Sequence, residues 1–293
     1  MKLSPASRAA LPFISPALVL MGAVILVPAV YVFWLSFQSS TFGTQARFVG
    51  FDNYAKILND PYFWRALANT ALVVLAVVHI ELPLGLGIAL LFAGGLPARK
   101  WLIAAVMAPY AVSEVGAIVM WRTLFDPDTG PLVKLLGAVG LPPLEWAVTP
   151  AHGLVMVALL SIWLHLPFTF IILYAARLAI PTDVYEAARI DGATPWQTFR
   201  RITLPLLAPA LLVAMLFRYI FAFRLFSEVW LLTGGGPARQ TEVVAVYLYL
   251  EAFRYNSFGA AAATGWLMVL TSLLLAWFYL RRLYRELFAQ LAA

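Results

Sequence analysis

Six stretches of this chain are apolar over the length a helix needs to cross a bilayer, and that limits its fold more than any other feature. They run from Ala17 to Phe37, Ala71 to Phe92, Trp101 to Trp121, Leu154 to Ala176, Leu206 to Leu232 and Ala260 to Leu280. A hydrocarbon core of about 30 Å takes about 20 apolar residues as helix. A closed barrel would instead show short alternating segments, which this sequence lacks. The apolar share, 63% of 293 residues with 12% charged, also lies well above that of ordinary water-soluble domains. The expectation is an all-α integral membrane protein of six transmembrane helices, with residues 1–293 forming one transmembrane domain. The first run follows Lys2 and Arg8, as a signal peptide would. It is longer than the usual signal core of about 7 to 15 residues and ends in Phe33-Trp34-Leu35-Ser36-Phe37, so it reads as an uncleaved span.

The net charge of +6 does not indicate nucleic acid, because the basic residues lie dispersed between apolar runs instead of gathered on one face. If the N-terminus is inside, six spans return the C-terminus to the same side. The inner segments then carry eleven basic residues: Lys2, Arg8, Arg99, Lys100, Arg177, Arg189, Arg200, Arg201, Arg281, Arg282 and Arg285. The outer segments carry seven: Arg47, Lys56, Arg65, Arg122, Lys134, Arg239 and Arg254. The positive-inside bias therefore puts both termini in the cytoplasm. Cysteine is absent and the three histidines are scattered, so neither a disulfide framework nor a metal centre is expected.

Between the fourth and fifth spans lies a cytoplasmic loop, residues 181–205, whose punctuation reads physically. Asp183 followed by Glu186 resembles a capping-box start, and Gly192 suits a turn after one short helix. Thr194 then caps a second helix, with Pro195 at its first position and Gln197 three residues after the cap, and Pro205 is expected to stop it. Isolated helices of this length are marginal in water, so a partner surface should hold them. Ala187 and Ala188 keep one face low, while Glu186, Arg189, Asp191, Arg200 and Arg201 offer charged contacts.

The sequence Glu186-Ala187-Ala188, three residues, Gly192, nine residues, then Ile202, Leu204 and Pro205 resembles the hallmark of the permease subunits of binding-protein-dependent ABC importers. Phe48 to Tyr54 and Leu232 to Pro237 are similar to segments of the carbohydrate branch, specifically the first of two non-identical permeases of the maltose and glycerol-phosphate kind. The resemblance implies a type I importer permease fold in the inner membrane, forming half of the pathway for a sugar or sugar derivative. It implies three partners: a second homologous permease, an extracytoplasmic substrate-binding protein, and an ATPase dimer docked on 181–205 through Glu186, Ala187, Ala188, Asp191 and Gly192. ATP and magnesium would belong to that ATPase. None of the four lysines (Lys2, Lys56, Lys100 and Lys134) follows a glycine, so the phosphate-cradling loop is missing. The chain itself is therefore not expected to be an enzyme and needs no cofactor.

Ionisable residues inside spans are functional candidates because burying them is costly. They are His79, Glu81, Glu114, His165, Arg218, Arg224 and Glu228. For His79, Glu81 and Glu114 the plainer reading is helix-to-helix pairing or snorkelling. Arg224 and Glu228 stand four apart and could pair along a helix, which leaves Arg218 without a partner at that spacing. The family resemblance puts His165, Phe168, Arg218, Phe221, Ala222 and Leu225 at pathway positions. Where the family often shows small neutral polar groups, Arg218 suggests an anionic cargo such as a sulfo-, phospho- or uronic sugar, since guanidinium matches such oxygens in pairs. The competing role for Arg218 is an ion pair with Glu81 or Glu114. At the level of function, an ion-coupled secondary transporter or channel, or an ABC permease for a non-carbohydrate solute, remains open. A membrane enzyme lacks a convergent catalytic set.

Overall fold

The computed structural model describes residues 5–41 and 43–289. Lys2, counted above for orientation, lies outside the described residues. The elements in chain order are α1 (Pro5–Leu35), a hairpin of β1 (Gln38–Ser39) and β2 (Arg47–Phe48), α2 (Asp52–Leu58), α3 (Pro61–Ala93), α4 (Arg99–Met107), α5 (Glu114–Leu124) and α6 (Pro131–Ala138). They continue with α7 (Pro150–Leu178), α8 (Thr182–Ile190), α9 (Pro195–Thr198), α10 (Leu204–Ala222), α11 (Ser227–Leu232), α12 (Val244–Tyr249) and α13 (Phe258–Ala289).

Among the described residues, five helices are long and apolar enough to cross a membrane: Pro12–Leu35, Pro61–Ala93, Pro150–Leu178, Pro195–Ala222 and Phe258–Phe278. A sixth crossing would be the pair Arg99–Ala111 and Glu114–Leu124, which meet at a bend of 99°. The architecture is thus the helical membrane one, with two corrections to the spans. The expected unbroken helix from Trp101 to Trp121 is in two pieces, because Val112 and Ser113 both turn extended (ψ 142° and 133°) after the turn of 3-10 helix at Ala108–Ala111. Pro109, within that turn, has no N–H to continue an α-helical ladder. The expected span Leu206 to Leu232 ends at Ala222, and Phe226 takes a non-helical conformation before α11 begins. Averaged hydropathy registers neither break, since Ser113 and Glu114 at the first and Arg224, Ser227 and Glu228 at the second are outweighed by the apolar residues around them.

A third correction concerns Pro205. It does not stop the second loop helix. The backbone widens to a π-helical turn over Phe199–Thr203, and Pro205 falls in the first turn of α10. A π-turn shifts the hydrogen-bonding register locally, so a residue without an N–H can follow it while the helical path from Pro195 to Ala222 continues.

The described residues fall into two compact units, those within 1–61 together with 248–268 and those within 62–247 together with 269–293. In the first, Phe37 is ringed by Phe33, Phe51 and Tyr54 at 5.0, 5.3 and 5.6 Å. Asn53 Nδ2 donates to the carbonyls of Ser36 and Gln38, so the segment Phe48 to Tyr54 pins the chain where it leaves α1. Gly259 admits no side chain there: a Cβ would collide with the Gln38 carbonyl. In the second unit, Phe92, Phe170, Leu173, Tyr174, Ala89 and Ala214 form a buried cluster, and α7 packs against α5, α10 and α11.

Candidate functional site

The second unit contains a cavity of about 480 Å³ bordered by both helix breaks. Tyr110 and Glu114 come from the bend between the 3-10 turn and α5, and Arg224, Leu225, Phe226, Ser227 and Glu228 from the break between α10 and α11. Ser161 and His165 on α7, with Arg218, Phe221 and Ala222 on α10, complete the wall. Broken helices bordering a polar cavity are the arrangement by which many membrane carriers place a binding site away from lipid. Of the six predicted pathway residues, His165, Arg218, Phe221, Ala222 and Leu225 line this one cavity. Phe168 stands outside it, edge-on to Phe217 and Phe221 at 6.1 and 5.8 Å.

Arg218 is not an unpartnered cation. Its Nε donates to Glu81 Oε2 at 2.8 Å, and its Nη2 lies 2.7 Å from the same oxygen. The second oxygen, Glu81 Oε1, accepts from the Thr169 hydroxyl at 2.5 Å. Arg218 and Glu81 are 1% and 0% exposed, so α3, α7 and α10 are tied together by a fully buried cluster. Gly85, one turn beyond Glu81, permits it: a Cβ there would stand 2.7 Å from the methyl carbon of Thr169. Of the two roles considered for Arg218, the pair with Glu81 is formed, through the Nε hydrogen bond and the Nη2 ion-pair contact, while neither Nη1 nor Nη2 makes a hydrogen bond. Removing one member of such a pair would cost about 3–5 kcal/mol, because the other is left as an uncompensated buried charge.

The expected pairing of Arg224 with Glu228 does not form among the described residues, because the helical spacing it needs is interrupted between Ala222 and Ser227. Arg224 is exposed at the cavity wall. Sequence reasoning missed Tyr110, Ser161, Phe226 and Ser227. The only signal for the first break is Pro109 inside an apolar run, and the second has no comparable marker.

The loop at 181–205 is well defined. Helix α8 closes with a Schellman motif in which Ala193 N donates to Ala188 O and Gly192 N to Arg189 O, with Gly192 left-handed at φ +72°. Thr194 and Gln197 form the reciprocal capping box. The start of α8 differs from expectation: Pro181 is the N-cap without a side-chain bond, and Asp183 sits in the first turn, where it complements the helix dipole instead of capping. Glu186, Ala187, Asp191 and Gly192 are exposed, while Ala188 is buried. Ile190 and Trp196 project at 86% and 65% exposure, two apolar knobs that charge-based reasoning passed over.

The fold and site are those of a polytopic membrane permease. The chain belongs to the family of binding-protein-dependent transport system inner membrane components, whose model matches residues 6–283. It is 35% identical over 258 residues to the trehalose transport system permease protein SugA of Mycobacterium tuberculosis, covering 87% of this chain and 82% of that one. It is 34% identical over 262 residues to the trehalose/maltose transport system permease protein MalF of Thermococcus litoralis, with 89% and 88% covered. Identity is 33% over 274 residues to the sulfoquinovosyl glycerol transport system permease protein SmoG of Agrobacterium fabrum, with 92% and 88% covered. Among solved structures, a bacterial ABC transporter that imports the acidic polysaccharide alginate shares the fold, with a TM-score of 0.79 at 23% identity over 92% of this chain and 93% of that one.

Proposed function

We propose that the chain forms half of the translocation pathway of an ATP-driven importer for a sugar or sugar derivative, and that residues 181–205 transmit the work of a separate ATPase to it. One observation carries this reading. Helix α9 runs without interruption through the π-turn into α10, the helix that brings Arg218, Phe221 and Ala222 to the cavity, and the exposed α8 is joined to it by the tight turn at Gly192. A protein gripping Glu186, Ala187, Asp191, Gly192 and the neighbouring Ile190 together with Trp196 therefore acts, directly at Trp196 and through the Gly192 turn, on a rod that ends at the cavity wall, a rigid-body coupling. The sugar cargo rests on the relatives, and aromatic walls such as Phe221 and Tyr110 suit sugar rings. The partners are an extracytoplasmic binding protein, as the family description supports, and a second permease that would supply the other half of the pathway. Both termini lie in the cytoplasm of a cell with this chain in its inner membrane, as the distribution of basic residues favours.

A charged cargo is the second reading, and the cavity narrows how it works. Glu81 neutralises Arg218, so an anionic sugar group would meet Arg224, which no carboxylate engages among the described residues. Arg224→Gln then lowers uptake of uronic or sulfonated sugars and spares neutral ones. Equal loss of both removes this reading.

The test of the whole is reconstitution in proteoliposomes with the second permease, the ATPase and the binding protein, after a thermal-shift screen of the binding protein against neutral, phosphorylated, sulfonated and uronic sugars. Uptake should require ATP. Uptake driven by an ion gradient through the lone chain would replace this reading with the secondary-transporter alternative. The absence of native cysteine makes Asp191→Cys a clean orientation probe, expected to label only from the cytoplasmic side.

A further inference from the structure

We propose that Tyr185 is a positioning residue for energy coupling: it ties α8 to both α7 and the foot of α10, so that a pull on α8 moves two walls of the cavity together. The inference rests on the importer reading of residues 181–205 and deepens it by naming the route of the pull. The turn at Gly192 does not supply that route alone, because a helix joined to its neighbour at one point pivots there instead of carrying the neighbour with it. Along α8 only two side chains turn inward: Ala188 is buried and Tyr185 half-buried, while the rest of Thr182–Ile190 is exposed. The two stand three apart, on one face of the helix, and Tyr185 is the one with reach.

Tyr185 makes a contact on each side. The guanidinium carbon of Arg177 lies 4.0 Å from the centroid of its ring, well inside the about 6 Å over which a cation is drawn to an aromatic face. Arg177 is in the last turn of α7, the helix that brings Ser161 and His165 to the cavity. The Tyr185 hydroxyl accepts from Thr203 Oγ1 at 3.3 Å. Thr203 is 4% exposed and is the last residue of the π-turn before α10. From Arg177 to His165 is about 18 Å of helix, and from Thr203 to Arg218 about 22 Å, at 1.5 Å per residue. The three residues thus form a clamp at the loop ends of two rods that wall the cavity. None of them is among the docking residues Glu186, Ala187, Ala188, Asp191 and Gly192, so their part is transmission within the chain.

The complete transporter, with second permease, ATPase and binding protein, reports through single cysteines placed in this cysteine-free chain: His165→Cys for the α7 wall and Phe221→Cys for the α10 wall. Labelling of this chain by N-ethylmaleimide is timed with and without AMP-PNP and magnesium, a measurement that needs no knowledge of the cargo. Tyr185→Leu is expected to shrink the nucleotide-induced change in labelling rate at both positions by about fivefold, the weight of one such aromatic contact, with the ATPase still copurifying. Arg177→Gln should shrink it mainly at position 165, and Thr203→Val mainly at position 221. A Tyr185→Leu chain whose two walls respond like the parent's overturns the inference and leaves the importer reading intact. Should Tyr185→Leu fail to assemble, Arg177→Gln and Thr203→Val decide: the clamp requires a lost response at one wall each, and two unchanged responses reject it. Thr203 is buried, so an effect of its substitution does not come from a lost contact with the ATPase. If the nucleotide alters labelling at neither position while residues 177, 185 and 203 are unchanged, the importer reading falls and this inference with it.

Discussion

Replacing Gly192 isolates the backbone geometry of the loop from everything else. Gly192 holds φ +72°, and a Cβ built there meets nothing within 4 Å, so substitution changes conformational energy without a clash. A left-handed conformation costs an ordinary L-residue about 1–2 kcal/mol, with β-branched residues at the upper end and Asn below it. At about 1.4 kcal/mol per decade, Gly192→Ala shifts the population of the hinged loop by roughly fivefold and Gly192→Val by roughly thirtyfold. Gly192→Asn stays close to the parent, since Asn is the usual substitute at this helix-closing position. The assay is sugar taken up per ATP hydrolysed by the reconstituted transporter, which should fall in the order Gly, Asn, Ala, Val while the melting temperature changes little. If Asn is as defective as Val, side-chain bulk against a partner governs the position, and the backbone argument is refuted.

Three further outcomes follow from single contacts. Thr194→Ala removes the reciprocal cap of α9 and should cost about 0.5–2 kcal/mol locally, read as faster hydrogen exchange across residues 195–199 with slower exchange elsewhere unaltered. Gly259→Ala drives a methyl into the Gln38 carbonyl and to 2.8 Å from Asn53 Nδ2, so the first compact unit should lose stability, seen as a lower melting temperature in detergent, whereas Gly87→Ala, with open space around it, should not. Asp126 accepts from the Thr129 hydroxyl and from the backbone N–H groups of Thr129 and Asp128, and the Thr129 bonds hold its carboxyl below the ordinary carboxylate value. A depressed folded-state pKa adds stability that is present above the unfolded value of about 4 and lost as pH falls through the lowered one. Melting of the wild type should therefore drop more steeply below about pH 4 than melting of Asp126→Asn, and parallel acid limbs would contradict this.

The amino-acid sequence alone determined the helical membrane class, because runs of about 20 apolar residues leave no other solution for backbone polar groups in lipid. It also determined most of the loop, since Gly192, Thr194, Pro195 and Gln197 act within a few residues of one another and local chemistry is enough to set caps and turns. The resemblance located five side chains that line one cavity, yet periodicity could not show that this cavity is made by breaks in two spans. Breaks depend on how neighbouring helices compensate lost backbone bonds, which hydropathy does not register. The partner of Arg218 was likewise decided only by tertiary structure: Glu81 lies 137 positions away and reaches it because Gly85 lets two helices approach. Spacing along one helix is blind to that meeting, so the same arginine that looks unpaired in sequence is neutralised in the fold.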